Sequence, residues 1–570
     1  MMWSKVFRVI LIVTIGLGSI SSGAAQDEDL LSWIPADFAG FIELHVRSDS
    51  DTLTALTVAT FAASFLQPQR IEFQPVQSLG MLIPLTALDV EDASFERDIS
   101  PWLNQRVILV YPSFDADLQS DDRVLLLPTR DPLQSASSLS RILDAQDVLE
   151  RDSYRGYSVY LADKTTVVIT PLAVLIGSTD SIKAMLDTQA GERERLIDQP
   201  AYQAAAVNRP QNAIVSGYLA GHEFRRVLSV LIKGDESAVP VLEALGRVLN
   251  TYQHDPGLEQ LVLNNALDGV GFYMQADTLR LNSVDVTLTL YDAEYTGPTA
   301  VAEFNPDILN LLPQNAMVVQ SGTNAPDAVY TLLAALPLTN FASEIVGAFP
   351  IQPSAGAASG LLTMPTASDI ERALGGLLTV LNRQANFDLD HDLLQYLDGS
   401  YAAALLPRPN DPLPPLNMPF DLLLVADVDN PEAAINGAAR LIEILLALET
   451  LETRTINDLE FRIVEFEGEP VVYTGAVDDR LVVATGAALR QALDARRGDD
   501  RLVSRDRWQA LSRPDMPQLY IDIPVVYATF LPQFAGAQLR QIRQMGVRAR
   551  QIDTGLFQLH LTVTLPSQLN

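Results

Sequence analysis

The chain has 570 residues, more than one ordinary core takes up, since single cores stop growing near ~250 to 300 residues, so two domains are expected. With 71 acidic against 39 basic side chains, its net charge of −32 repels phosphate backbones and anionic lipid and argues against a nucleic-acid partner. The absence of cysteine removes disulfides, thiolate metal sites and cysteine nucleophiles, and leaves stability to core burial.

Lys5 and Arg8 precede an uncharged run over 9–20, and the small residues of 21–25 follow it. This is the three-part pattern of a secretory signal peptide, with cleavage near Ala25. The apolar run has 12 residues, short of the ~20 that a spanning helix needs. An uncleaved N-terminal membrane anchor is the alternative. No later window is long and apolar enough to span, so the mature chain is expected to be extracytoplasmic, with no membrane span.

From residue 31 onward the chain says nearly the same thing twice. Pro35 and Pro313 stand 278 residues apart, Trp102 and Tyr396 stand 294 apart, Asp131 and Asn430 stand 299 apart, and Met185 and Ala492 stand 307 apart. Stepwise drift of this kind fits two copies of one unit that took different loop insertions. The Pro-, Ala-, Gly- and Ser-rich stretch 350–366 is the insertion in the second copy, and 222–268 holds that of the first, with an added helix over 239–249.

Each copy is expected to open with a strand, over 38–46 and 316–320, followed by a helix from Ser50 and from Asn324. A second helix is clearest from Ser368, where Glu371 completes a capping box. Strand pairs follow at 107–111 and 124–127, and at 401–406 and 422–425, each joined by a long polar or Pro-rich tip. Asp131-Pro132 and Asn430-Pro431 then start amphipathic helices, because the side-chain oxygen accepts an orphan amide proton and Pro carries none. Three short β-rich runs come next, at 157–161, 165–170 and 174–176, and at 460–464, 471–474 and 480–483. A helix closes each set, over 181–188 and 488–496. Short helices around Tyr202 and Trp508 lead to strands at 213–218 and 518–521. The closing alternation of Val284, Val286, Leu288 and Leu290, matched by Leu559, Leu561, Val563 and Leu565, predicts a strand with one wet face. The expected fold class is therefore α+β: two tandem related units, each a mainly antiparallel sheet with helices packed on one face. The boundaries are 1–25 for the signal peptide, 26–300 for the first unit and 301–570 for the second.

Catalytic signatures are absent. There is no Gly-Lys for a phosphate loop, no G-x-S-x-G, and no second His four residues after His222. Gly269-Val270-Gly271 lacks the third glycine of a dinucleotide fingerprint and reads as a turn. Asp388, Asp390 and Asp392 are the calcium candidate, since alternating carboxylates offer oxygen ligands. Leu393 stands where a calcium loop needs glycine, and no Glu closes the loop, so a helix-capping role is the preferred reading. Acidic pairs such as Asp115 and Asp117 read as solvated. His45 and His560 sit within strands and read as structural. No catalytic or cofactor-binding residue is assigned, and no cofactor is expected.

The segment Leu31-Ser32-Trp33-Ile34-Pro35-Ala36-Asp37, the run Pro101-Trp102-Leu103 before a strand, and Val174-Leu175-Ile176-Gly177-Ser178-Thr179-Asp180 before a helix resemble an uncharacterised bacterial family. It is catalogued as a domain of unknown function and is found in exported or membrane-anchored proteins. The second opening departs from the pattern at Leu311-Leu312-Pro313-Gln314-Asn315. The family has no established activity, so the resemblance implies no site. The functional expectation is a noncatalytic exported binding or scaffold protein that engages an envelope protein or polymer. An extracytoplasmic hydrolase with an unrecognised site is the alternative.

Overall fold

The computed structural model describes residues 30–45, 95–113, 122–145, 150–161, 165–206, 210, 213–224, 267–277, 283–295, 304–323, 325–326, 329, 381–382, 385–397, 399–408, 420–446, 451–466, 468–498, 500–511, 519–530 and 543–564. The signal-peptide segment 1–25, the helix expected from Ser50, most of those expected from Asn324 and Ser368, the helix over 239–249, the insertion 350–366, and Asp115 and Asp117 lie outside them. The described residues form two compact units. One takes everything described up to residue 224, together with 267–295 and 551–560; the other takes 304–550 and 561–564.

The first unit contains β1 (Gly40–His45), β2 (Arg106–Tyr111), β3 (Val124–Pro128), helix α1 (Pro132–Ala145), β4 (Glu150–Tyr154), β5 (Tyr157–Leu161), β6 (Thr166–Ile169), β7 (Ala173–Gly177), α2 (Thr179–Gln189), α3 (Pro200–Ala205), β8 (Val215–Ala220), β9 (Gly269–Asp277) and β10 (Ser283–Tyr291). Its strands pair antiparallel in the order β10-β9-β8-β1-β2-β3-β7-β6-β5-β4. The helix starts follow from local chemistry: Asp131 Oδ1 accepts from Gln134 N at 2.9 Å below α1, and the Ser178 side chain accepts from Ser181 N at 3.4 Å below α2.

The second unit contains β11 (Val318–Gly322), α4 (Leu389–Asp392), β12 (Tyr401–Pro407), β13 (Phe420–Asp427), α5 (Pro431–Leu445), β14 (Glu452–Ile456), β15 (Leu459–Phe466), β16 (Glu469–Val477), β17 (Arg480–Thr485), α6 (Ala488–Arg496), α7 (Asp506–Leu511), β18 (Leu519–Asp522), α8 (Ile523–Phe530), and parts of β19 (Gln544–Asp553) and β20 (Leu556–Thr564). The order is β19-β18-β11-β12-β13-β17-β16-β15-β14, again antiparallel throughout. Directly opposed residues form the row Glu43–Ile108–Leu126–Leu175–Val168 in the first unit. In the second they form Ser321–Ala402–Val425–Val482–Gly475.

Three expectations are corrected. Helices do not keep to one face. Leu423 and Val425 of β13 join a core with Leu489 and Leu493 of α6, while their neighbours Leu424 and Ala426 join another with Ala434, Ala438 and Leu441 of α5. Successive residues of a strand point to opposite faces, so both faces of this sheet are covered. The unbroken apolar run Leu422 to Ala426 is the sequence mark of such a strand. Second, the polar face of β10 is not wet, because Thr287 and Thr289 are buried. Third, Gly269-Val270-Gly271 is no turn: it begins β9. A Cβ on Gly271 would lie 2.3 Å from the Ala205 carbonyl oxygen, so glycine there lets the end of α3 rest on the strand.

β4 and β14 are additions to the three expected β-rich runs. Their sequences, Glu-Arg-Asp-Ser-Tyr and Glu-Thr-Arg-Thr-Ile, lack apolar alternation because each ends its sheet among the described residues, where charge discourages further pairing.

Candidate functional site: a polar row across the first unit

β1 is apolar except at Glu43 and at its last residue, His45. Phe41, Ile42 and Leu44 are buried, and between them Glu43 is buried as deeply, at 0% exposure. Opposed residues share a sheet face, so the register extends this position across four strands: Glu43 on β1, Ser216 on β8, Tyr273 on β9 and Thr287 on β10. Beyond β10, Thr287 Oγ1 lies 2.8 Å from His560 Nδ1. His45 and Arg106 stand opposite each other one step further toward the end of β1 and β2, on the same face.

A buried carboxylate is costly unless paired. Glu43 Oε1 accepts from Arg106 Nη1 at 3.0 Å and lies 3.5 Å from His45 Nε2, and Oε2 accepts from the Ser216 hydroxyl at 3.3 Å. The Ser216 proton is thus spent on a carboxylate, a hydrogen-bonding role rather than the serine-to-imidazole arrangement of a nucleophile. At the other end, His560 Nε2 lies 2.8 Å from Gln558 Oε1, an acceptor, so Nε2 carries a proton and Nδ1 takes that of Thr287 in the neutral ring. Above the row, Tyr218 packs edge-on against Tyr202, ring centroids 5.4 Å apart, and burial pushes its phenol above the ordinary range. What results is a charge-compensated polar layer inside an apolar sheet.

Glu43, Arg106, Ser216, Tyr273 and Thr287 were not singled out from sequence. The available signal was a lone carboxylate at an inward position of the run Gly40 to Leu44. His45 and His560, read there as structural, both join the row. His222 lies elsewhere, 3.8 Å from Glu223.

Asp388, Asp390 and Asp392 sit at a helix start. The Asp388 side chain caps α4 by accepting from Asp390 N at 3.2 Å and His391 N at 3.4 Å, and Asp392 Oδ2 accepts from Asp388 N at 2.8 Å. These bonds tie Asp388 and Asp392 into a reciprocal cap. Among the described residues no group of three or more His, Asp or Glu side chains is arranged to hold a metal ion.

The motifs behind the family resemblance are structural. Ala36 N donates to Glu194 O at 3.0 Å and Leu196 N to Ile34 O at 2.8 Å, which pins the Trp33-Ile34-Pro35 corner to the segment after α2. In the second unit Gln314 N donates to Asp500 O at 2.7 Å and Leu502 N to Leu312 O at 2.9 Å. The Trp102 indole donates to Asp98 O at 2.6 Å, and the buried Asp98 carboxylate meets Arg97 at 2.8 Å and also Arg141.

No curated protein matches the chain. Among solved structures it is similar to TP0453: crystal form I at 13% identity over 47% of this chain and 81% of that one, with a TM-score of 0.25, and form III at 15% over 49% and 84%, with a TM-score of 0.23. Residues 81–565 match the model of the family described as "Protein of unknown function (DUF3352)", and because that match runs over most of the 570 residues, the chain belongs to this family.

Proposed function

We propose that this is a noncatalytic, exported binding or scaffold protein of the cell envelope, built from two copies of one unit. The observation that carries the noncatalytic reading is the state of Glu43, whose two oxygens are both occupied, by Arg106 and by Ser216. A general acid or base needs a free path to a substrate proton, and this carboxylate is engaged on both sides. Export is supported by the Lys5, Arg8 and 9–25 pattern.

Duplication is supported by register. From Glu43 to Ser321 is 278 residues, from Ile108 to Ala402 is 294, from Leu126 to Val425 is 299, and from Leu175 to Val482 is 307. These are the offsets read from unrelated landmarks in the sequence, and they fall on positions with identical strand partners. Two unrelated sheets would have no reason to share them.

The test is crosslinking of the tagged full-length chain in its native envelope, beside turnover assays of the purified chain on ester, glycoside and peptide substrates. The expected result is one recurrent crosslinked partner or polymer and no turnover. Turnover that Glu43→Gln abolishes would replace this reading with that of an extracytoplasmic hydrolase.

A further inference from the structure

Each unit carries a five-residue edge strand, β4 in the first and β14 in the second, and among the described residues each is paired on one side alone, with β5 and with β15. Asp152 and Ser153 of β4 are exposed, as are Glu452, Thr453, Arg454 and Thr455 of β14. Both strands hold an edge out to solvent, with backbone groups that an extended segment can pair.

The register that carries apolar rows across each unit carries them on to these edges. In the first unit Leu175 and Val168 are followed by Val159 and then by Asp152. In the second, Val482 and Gly475 are followed by Phe461 and then by Arg454. The two rows lie on matching faces: Leu175, Val168 and Val159 share a core with Met185 and Leu186 of α2, and Val482 and Phe461 share one with Leu489 and Leu493 of α6. The same place on the two edges thus holds a carboxylate in one unit and a guanidinium in the other. Asp152 Oδ1 accepts from Ser153 N at 2.7 Å, and Arg454 meets Glu452 at 3.3 Å and also Glu465. Exposed ion pairs of this kind are worth little, and a guanidinium with five donors can take up a further carboxylate beside those it holds.

We propose that the edge of β14 takes the edge of β4 from a second copy of this chain, antiparallel, with Asp152 opposite Arg454 and Ser153 opposite Thr453. Directly opposed residues share a sheet face, so the joined sheet would keep α2 of one copy and α6 of the other on one side. Charge selects this pairing. At the same register, β4 against β4 sets Asp152 on Asp152, and β14 against β14 sets Arg454 on Arg454, and like charges directly opposed are destabilising. The charges that blunt each edge toward its own kind therefore fit the two edges to each other. The contact needs only the chain itself, so it stands apart from the envelope partner proposed above.

Sedimentation equilibrium of the purified full-length chain tests this, in about 0.15 M salt, where repulsion between two net charges of −32 is screened beyond ~8 Å. The weight-average mass is expected to rise with concentration. Asp152→Arg and Arg454→Asp should each weaken association about tenfold, and an equimolar mixture of the two variants should recover it, because each supplies the charge the other now needs. A chain that stays monomeric to about 1 mM would overturn the proposal. So would association indifferent to Asp152→Arg, or a mixture no stronger than its components. Where Arg454→Asp does not fold, the cysteine-free sequence allows a second measurement: Ser153→Cys mixed with Thr453→Cys is expected to form the mixed disulfide faster than either variant forms its own. Equal rates would overturn the pairing as well.

Discussion

Glu43 illustrates how a single inward charge constrains its surroundings. Removing one member of a buried ion pair leaves the other uncompensated, so Glu43→Ala is expected to cost about 3 kcal/mol in urea unfolding, with Glu43→Gln costing less because the amide still accepts from Ser216. Asp292 gives a pH signature. Burial, opposed by a hydrogen bond from Glu294 N and reinforced by the nearby charges of Asp268 and Glu294, raises its carboxyl above the ordinary range. The folded chain therefore binds this proton more tightly than the unfolded chain, and the associated stability is full below about pH 4 and lost as pH rises through the raised value. Asp292→Asn keeps the acceptor for Glu294 N, so its melting temperature is expected to match that of the native chain near pH 3.5 and to exceed it at pH 7, by calorimetry. Single residues of this kind were the least legible part of the sequence: nothing in composition or periodicity says that Glu43 on β1 opposes Ser216, more than 170 residues away, because that depends on strand register.

Helix starts, and the inner strands other than β9, were far more legible. Asp131-Pro132 and Asn430-Pro431 start α1 and α5 as read, because a cap is a local hydrogen bond and needs no knowledge of the fold. The same chemistry governs α4. Asp388→Ala removes an acceptor shared by two amides and is expected to destabilise by about 1 kcal/mol, measured by urea unfolding, with no recovery on adding calcium. β4 and β14 were missed for the opposite reason, since strand prediction rests on a buried face and Glu452 through Thr455 are all exposed. Their hairpins are set by the turns instead: Asn457 and Asp458 both have positive φ, as do Arg155 and Gly156 in the first unit, the geometry that matches the twist of paired strands.

At the level of the whole molecule, the acidic balance of the chain is its most general property. A net charge of −32 repels itself in the folded state, and added salt screens that repulsion. The melting temperature is expected to rise between about 0.05 and 0.5 M sodium chloride, followed by differential scanning fluorimetry; a fall would mean that attractive pairs such as Arg106 with Glu43 outweigh the net charge. The antiparallel pairing followed from sequence, whereas coverage of both sheet faces did not, because helix periodicity says which side of a helix is apolar and not which side of a sheet it meets.

The connection from β5 to β6 passes from Leu161 to Thr166, and its counterpart from β15 to β16 passes from Phe466 to Glu469. The same architecture thus accommodates two lengths at one place, while the Asn457-Asp458 and Arg155-Gly156 turns leave no such latitude. An epitope or fluorescent handle spliced between Leu161 and Thr166 should ride on the molecule without disturbing the strands it joins, which gives a practical way to follow the protein through the cell.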